Sequence, residues 1–466
     1  MKSYKLIYIV SLLTLPFYSC KDLLEETVYS ELTTDTYLTS TEAKLSILYS
    51  AYGNAQLRDY FYFYGQGMTS GETWNEFGAI ESQFTPLCNF TWVSSHEYFS
   101  GMWNKLYSVI RDANIVLDNT SKENGETQLI AEAKFLRGFS YSLLYDWFGA
   151  LPLYTSSSGE LYLERSSEEE TVRFIEKDLL DAAADLPVRQ ATYGKATKGA
   201  ALGILTKLYL NTKQWGKSAD IAQEIIDLNR YTLISDYRDI FSIENEGNDE
   251  LILAIQANPQ VGIPFVANTF PTDYPHLPNQ TIYASRVYLY DNFVNSFDLA
   301  DTRKDLIVTS YTNTNGEFIQ LLGNDRSLAG KYEFDKDAAG ASYGNDTPVL
   351  RYADILLARA EALNELNGPN DESIALINKI RKRAGEDIPL LQLAGFTKET
   401  LRDHIFKERA WEFYFEQKSR TDQIRQGTFI SGALARGKTA KPFHVLFPIP
   451  ETEINANPKL VQNTGY

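Results

Sequence analysis

Over several long stretches of this 466-residue chain, apolar side chains recur at i, i+3, i+4 and i+7. That spacing lines one face of an α-helix. It predicts helices over residues 41–56, 96–119, 126–148 and 168–186. Gly149 and Pro152 stop the third, and Pro187 stops the fourth, because glycine frees the backbone and proline has no amide to donate. Two more helices are predicted over 197–210 and 219–228, separated by a short turn at Trp215. From 229 to 345 the pattern changes. Pro259, Pro264, Pro271, Pro275 and Pro278 punctuate that segment, and the short runs 251–257 and 306–311 read as strands. Residues 65–95 have the same irregular character over a shorter length. The helical period returns over 349–366, 372–384 and 398–426, and the tail from Lys441 reads as extended.

The expected fold is therefore mainly α: one helical body, with loop-rich excursions that carry short β-strands. Between 197 and 228, a helix, a turn with Trp and a second helix with small alanines resemble a tetratricopeptide hairpin. No clean 34-residue period runs through the chain, so the prediction is of tetratricopeptide-like helix pairs and not of a regular array. Residues 41–466 are expected to form a single domain. Its N-terminal part runs over about 41–230, its loop-rich insert over about 231–348, and its C-terminal helical part over about 349–466.

The first residues change the picture. Lys2 and Lys5 precede an apolar run from Leu6 to Phe17, followed by Ser19 and Cys20. A basic start, a short apolar stretch and a small residue at a cut site make a secretory signal over 1–19. A cysteine directly after the cut is the acceptor that lipoprotein processing acylates, so Cys20 is the expected lipid anchor and residues 20–40 the tether. Lys21-Asp22-Leu23-Leu24-Glu25-Glu26 resembles the acidic surface-export tag that follows such a cysteine in one large group of Gram-negative bacteria. No other apolar run approaches the ~18 residues of a membrane-spanning helix. The formal charge of −17 argues against nucleic acid as a partner, since binding phosphates takes clustered Lys and Arg. Apart from Cys20 there is only Cys88, which leaves no internal disulfide and reads as a small buried hydrophobe.

Three further stretches carry a family resemblance. The first runs from Ala131-Glu132-Ala133-Lys134-Phe135-Leu136-Arg137-Gly138 through Tyr145-Asp146-Trp147-Phe148-Gly149 to Pro152. The second is Leu350-Arg351-Tyr352-Ala353-Asp354 with Ile377-Asn378-Lys379-Ile380-Arg381. The third is Glu408-Arg409-Ala410-Trp411-Glu412-Phe413 with Arg420 and Asp422, Phe447-Pro448-Ile449-Pro450 and the closing Gly465-Tyr466. In this order, and after Cys20, they resemble the SusD/RagB family of outer-membrane nutrient-binding lipoproteins. The resemblance implies a helical body with the ligand site on its loops. It implies a SusC-like TonB-dependent barrel transporter as partner, and a lipid-anchored place on the outer membrane facing the cell exterior. The ligand would be an oligosaccharide, or a peptide in a RagB-like member. The charged residues of these stretches read as structural, because Arg351 and Asp354, and Glu408, Glu412 and Glu416, stand a turn apart where helix-to-helix ion pairs form.

Catalytic patterns occur but lack their context. Gly432-Ala433-Leu434-Ala435-Arg436-Gly437-Lys438-Thr439 fits GxxxxGK[ST], yet it leads into an extended tail and not into a nucleotide domain. Gly340-Ala341-Ser342-Tyr343-Gly344 fits GxSxG without the strand and helix that a nucleophile elbow needs. The four histidines, at 96, 276, 404 and 444, are scattered, and no metal or cofactor is expected. A surface glycoside hydrolase built on an unseen carboxylate pair is the enzymatic alternative. A sugar site needs flat rings for C–H faces and planar polar groups for hydroxyls. With 30 Tyr, 25 Phe and 6 Trp, the chain has more rings than a core demands. The irregular segments supply the candidates: Glu72, where the family often has an acid near ligand, with Trp74, Asn75, Trp92, Tyr274, Tyr283 and Arg286. The alternative for each is an anchor that holds a loop on the helices. Trp74, flanked by polar residues, fits an anchor least.

Overall fold

The computed structural model describes residues 38, 40–58, 61–76, 81–283 and 287–466. The leader over 1–19, Cys20 and the tether as far as residue 37 lie outside the described residues, as does Arg286. Two compact units are distinguished, Met1–Lys44 and Leu45–Tyr466. In the first, the described residues open the helix Thr41–Ala55. The architecture that carries the site belongs to the second.

Sixteen α-helices and eight strands of five residues or fewer are found among the described residues, as the 3.6-residue periodicity predicts. From Glu97–Asp118 onward, the helices Thr127–Phe148, Glu168–Asp185, Lys198–Asn211 and Trp215–Asp227 each pack on the helix before. Trp215–Asp227 also packs on Tyr352–Asn367, which in turn meets Asp371–Ala384 and Lys398–Phe413. The loop-rich segment between them thus leaves one layer of helices and rejoins it. Capping side chains fix where the helices start. Ser167 and Glu170 form a reciprocal capping box, and Thr197, Asn370 and Thr397 each accept an amide of the first turn. Ala219, Ala358 and Ala362 pack with Leu210 between helices, where side chains this small let two axes approach.

The insert returns through a strand pair, Leu251–Ile255 antiparallel to Thr347–Arg351, with Leu251 opposite Arg351. The helix Lys198–Asn211 lies against both strands and can do so because residue 203 is glycine. A Cβ there would fall 2.1 Å from Leu350 Cδ2. Replacing glycine by alanine in an exposed helix adds stability, but Gly203→Ala is expected to cost about 1–3 kcal/mol through overpacking. A urea midpoint equal to or above wild type would refute this.

Three predicted elements differ. Residues 349–351 are strand and not the start of a helix, because a strand buried at all five positions has no alternation to betray it. The single helix expected over 398–426 is two, Lys398–Phe413 and Ser419–Gln426. Between them Phe415 and Gln417 take left-handed backbone (φ 61° and 60°). Tyr414, Phe415 and Glu416 are all buried there, so the apolar pattern runs on through the turn. The irregular stretch 65–95 contains the helices Gln66–Ser70 and Glu81–Asn89, the second with Pro86 inside it.

The charged residues of the C-terminal helices are structural, as their spacing predicts. Arg351 bonds Glu250, Glu412 and Glu416 at 2.6–2.7 Å. Arg303 pairs with Asp301, Glu408 and Glu412, Lys331 with Glu416, Arg381 with Glu408, and Arg383 with Glu250 and Glu412. A second group joins Lys207 and Arg409 to Asp354, Arg409 and Arg425 to Asp422, and Arg425 to Glu361.

Candidate functional site

The short helix Gln66–Ser70 ends at Gly71, whose φ of 75° is the left-handed cap that glycine adopts without strain. The chain then enters the strand Thr73–Asn75, antiparallel to Val287–Leu289, with Trp74 opposite Tyr288. This pairing brings residues more than 200 positions apart into one face. The Trp74 ring lies 5.3 Å from Tyr288 and 6.3 Å from Tyr290, centroid to centroid. Tyr288 is buried, while Trp74 and Tyr290 are half-buried. Trp74 Nε1 donates to the Asp325 carbonyl at 2.6 Å, which fixes the plane of the indole.

Polar groups surround these rings. Glu76 Oε1 accepts from Arg326 Nη2 at 2.5 Å, while its Oε2 has no hydrogen-bond partner among the described residues. Asp291 Oδ2 accepts from the Gly323 amide, and its Oδ1 likewise lacks a partner. Asp325, at φ 56°, accepts the Asp291 amide through its carboxylate. Burial first, then the neighbouring Cys88 thiol, pushes the Tyr290 hydroxyl up to about 12, so it is a neutral donor at any ordinary pH. Burial likewise pushes Cys88 up to about 11, which makes it a poor nucleophile. Half-buried rings with a neutral hydroxyl among them suit a polyhydroxylated ligand.

Of the residues singled out in the sequence, Trp74 and Asn75 lie on this strand, both half-buried, with side chains that alternate between its two faces. Glu72 is turned inward. Its carboxyl accepts the Phe415 amide at 2.9 Å and is pushed up to about 7 by burial. It lines a separate cleft of about 420 Å³ between the helices Lys398–Phe413, Ser419–Gln426 and Phe429–Ala435. Trp92 is corrected from a binding face to the core. It is 4% exposed, packed on Phe90, His444 and Phe447, and its Nε1 bonds Tyr466. Tyr274 belongs to another ring cluster, stacked on Phe334 at 5.5 Å and 11°. Tyr283 is exposed and in neither cluster. The sequence reading missed Tyr290, Asp325 and Arg436. Arg436 is half-buried over Gly71, close enough that a Cβ there would fall 2.1 Å from its Cζ. The GxxxxGK pattern that contains it spans the end of the helix Phe429–Ala435 and follows a helix, so the strand–loop–helix of a phosphate cradle is not formed.

Two family models match the sequence. One describes the SusD family and covers residues 331–466. The other, starch-binding and associating with outer membrane, covers residues 22–210. The chain belongs to the SusD family. Its relatives include SusD-like protein P25 of Formosa agariphila, 28% identical over 79% of this chain and 80% of that one. The starch-binding protein SusD of Bacteroides thetaiotaomicron is 26% identical over 83% and 82% of the two chains. The SusD fold extends through the described body. A SusD superfamily protein from Parabacteroides distasonis superposes with a TM-score of 0.80 at 24% identity, covering 94% of this chain and 100% of its own. This SusD-family chain therefore has the fold and the family that its motifs resemble.

Proposed function

We propose that this SusD-family chain is a cell-surface lipoprotein, tethered to the outer membrane through acylated Cys20, that binds an oligosaccharide and passes it to a SusC-like TonB-dependent transporter without chemistry. The observation that carries the reading is the half-buried pair Trp74 and Tyr290, held at 6.3 Å on one strand-paired face. An anchor for a loop would bury both rings; these keep surface at a polar rim. The starch-binding relative supports a glycan as the ligand class. Asn75, Tyr274 and Tyr283 are proposed as secondary contacts.

Trp74→Ala is expected to weaken binding of the preferred glycan at least tenfold, about 1.4 kcal/mol, as for a ring at the centre of an interface. Calorimetric titration of the purified protein with maltohexaose, laminarihexaose and a panel of plant and algal oligosaccharides measures it. Equal affinity of wild type and variant would remove the face from the site. Hydrolysis of a glycan during the titration would favour the glycosidase instead, and binding of peptides alone would favour a RagB-like ligand.

A further inference from the structure

Arg420 donates to the Val445 carbonyl, and every buried cation of the two ion-pair networks described above stands against a carboxylate. Arg436 does not. Its guanidinium makes no hydrogen bond or ion pair with any described residue, although the chain carries 61 acidic residues. Nor is it free to swing in water, because it is half-buried against the Gly71 backbone, where glycine alone leaves room. Burial lowers its affinity for a proton, and the titratable groups it interacts with are the Tyr290 hydroxyl and the Cys88 thiol, both neutral at pH 7. A partly desolvated cation without a counter-charge is costly, and a planar fork of donors matches an oxyanion.

The cleft beside it carries four cations, itself included, against three carboxyls. Arg436 also lines the 420 Å³ cleft, with Lys407, Arg409 and Lys418 in the wall and Phe406 and Phe413 as apolar surface. Three carboxyls share that wall and each is engaged. Asp422 is bonded by Arg409 and Arg425, Asp403 accepts from Gln426, and Glu72 accepts from the Phe415 amide. Arg436 therefore joins two features. On one side it interacts with Tyr290 of the aromatic face, and on the other it opens on a cleft whose wall also holds Lys407. The chain's net charge of −17 does not cancel this, since carboxylates beyond ~8 Å are screened at physiological salt.

We propose that Arg436 makes this site select glycans that carry an acidic substituent, a uronate carboxylate or a sulfate ester, which it clamps beside the sugar held on Trp74 and Tyr290. This rests on the reading of that face as the glycan site. The substituent supplies the counter-charge that Arg436 lacks, and the cleft gives room for the ring that bears it.

The test titrates the purified full chain with oligogalacturonate and with its carboxyl-reduced form, and with a sulfated galactan oligosaccharide and its desulfated form. At least one acidic probe is expected to bind ten- to a hundredfold tighter than its neutral counterpart, the range of a charge-assisted hydrogen bond, and to weaken as NaCl is raised. The arm that shows the preference tells carboxylate from sulfate. In Arg436→Gln the ratio is expected to fall to within about twofold, and Arg436→Lys, which keeps charge without the fork, to fall between. Neutral probes that bind as tightly as acidic ones in wild type would overturn the inference and leave the glycan site standing. A preference that survives in Arg436→Gln would overturn the assignment to this residue. No binding of any probe, neutral or acidic, would overturn both. The wild-type ratio and its salt dependence decide the matter even where the glutamine variant does not fold.

Discussion

Replacing Arg351 with alanine is expected to lower stability by about 3–5 kcal/mol, enough to leave much of the protein unfolded at 37 °C. Arg351 is 1% exposed and bonds three carboxylates, Glu250, Glu412 and Glu416, as well as the Glu412 carbonyl. Those acids belong to one buried network. Its cations are Arg303, Lys331, Arg351, Arg381 and Arg383; its anions are Glu250, Asp301, Glu408, Glu412 and Glu416. Five stand against five, so the network is neutral as built. Deleting one cation leaves an uncompensated negative charge out of reach of water, and the penalty is that of the stranded carboxylate rather than the worth of one ion pair. Neutrality gives the control. Arg351→Met with Glu412→Gln leaves four cations against four anions, and the double variant is expected to be more stable than the sum of its single changes by at least 1 kcal/mol. Urea midpoints measure both. A single variant within 1 kcal/mol of wild type, or a strictly additive pair, would contradict the argument. Asp301, Arg303 and Lys331 come from the loop-rich insert, so the network also ties the segment that supplies Tyr288 and Tyr290 to the helical layer.

The same network marks where the sequence stops being legible. The helix Lys398–Phe413 was readable from its period, but not that Glu408, Arg409 and Glu412 face inward. Amphipathic reasoning sends charge to water, and charge is buried here only because Arg303, Arg351, Asp354, Arg381 and Arg383 arrive to match it. That Trp74 keeps exposed surface was legible because its neighbours are polar. Trp92 stands between Thr91 and Val93, and the C-terminal tail folds over it through Phe447 and Tyr466, some 350 positions away. Tyr290 and Arg436 could not be found by composition, because the strand pair and the Gly71 turn that bring them to Trp74 are set by contacts between distant segments. One local clue existed: Val287-Tyr288-Leu289-Tyr290 alternates as a strand edge does.

Stability is expected to peak near pH 5 and to collapse between about pH 4 and pH 2. Burial by itself would raise the pKa of Glu408, but Arg303, the His404 ring at 3.6 Å and Arg381 outweigh it and hold the carboxyl down at about 2. Asp422 is held at about 2 in the same way, burial being outweighed by Arg409, Arg425 and Lys207. Glu412, Glu416 and Asp354 are also held below the usual range by their arginine and lysine partners, against the effect of burial. A carboxyl with a depressed folded pKa contributes stability that is fully present above its unfolded value near 4 and lost as pH falls toward the folded value. At ~1.4 kcal/mol per unit, Glu408 alone stands for roughly 3 kcal/mol. Glu72 has the opposite sign. Burial lifts it to about 7, so its contribution is complete below about 4.5 and is lost as pH rises toward 7. Thermal unfolding followed from pH 8 to pH 2 should therefore rise gently from pH 7 to pH 5 and then drop steeply. Glu72→Gln, which mimics the protonated acid, should flatten the gentle limb by raising the midpoint at pH 7 toward its pH 5 value. Glu408→Gln should lower the midpoint at pH 7 and make the acid limb shallower. A wild-type midpoint that already falls between pH 6 and pH 5 would mean that other groups govern acid stability, and that these buried carboxylates are not held ionised by their partners.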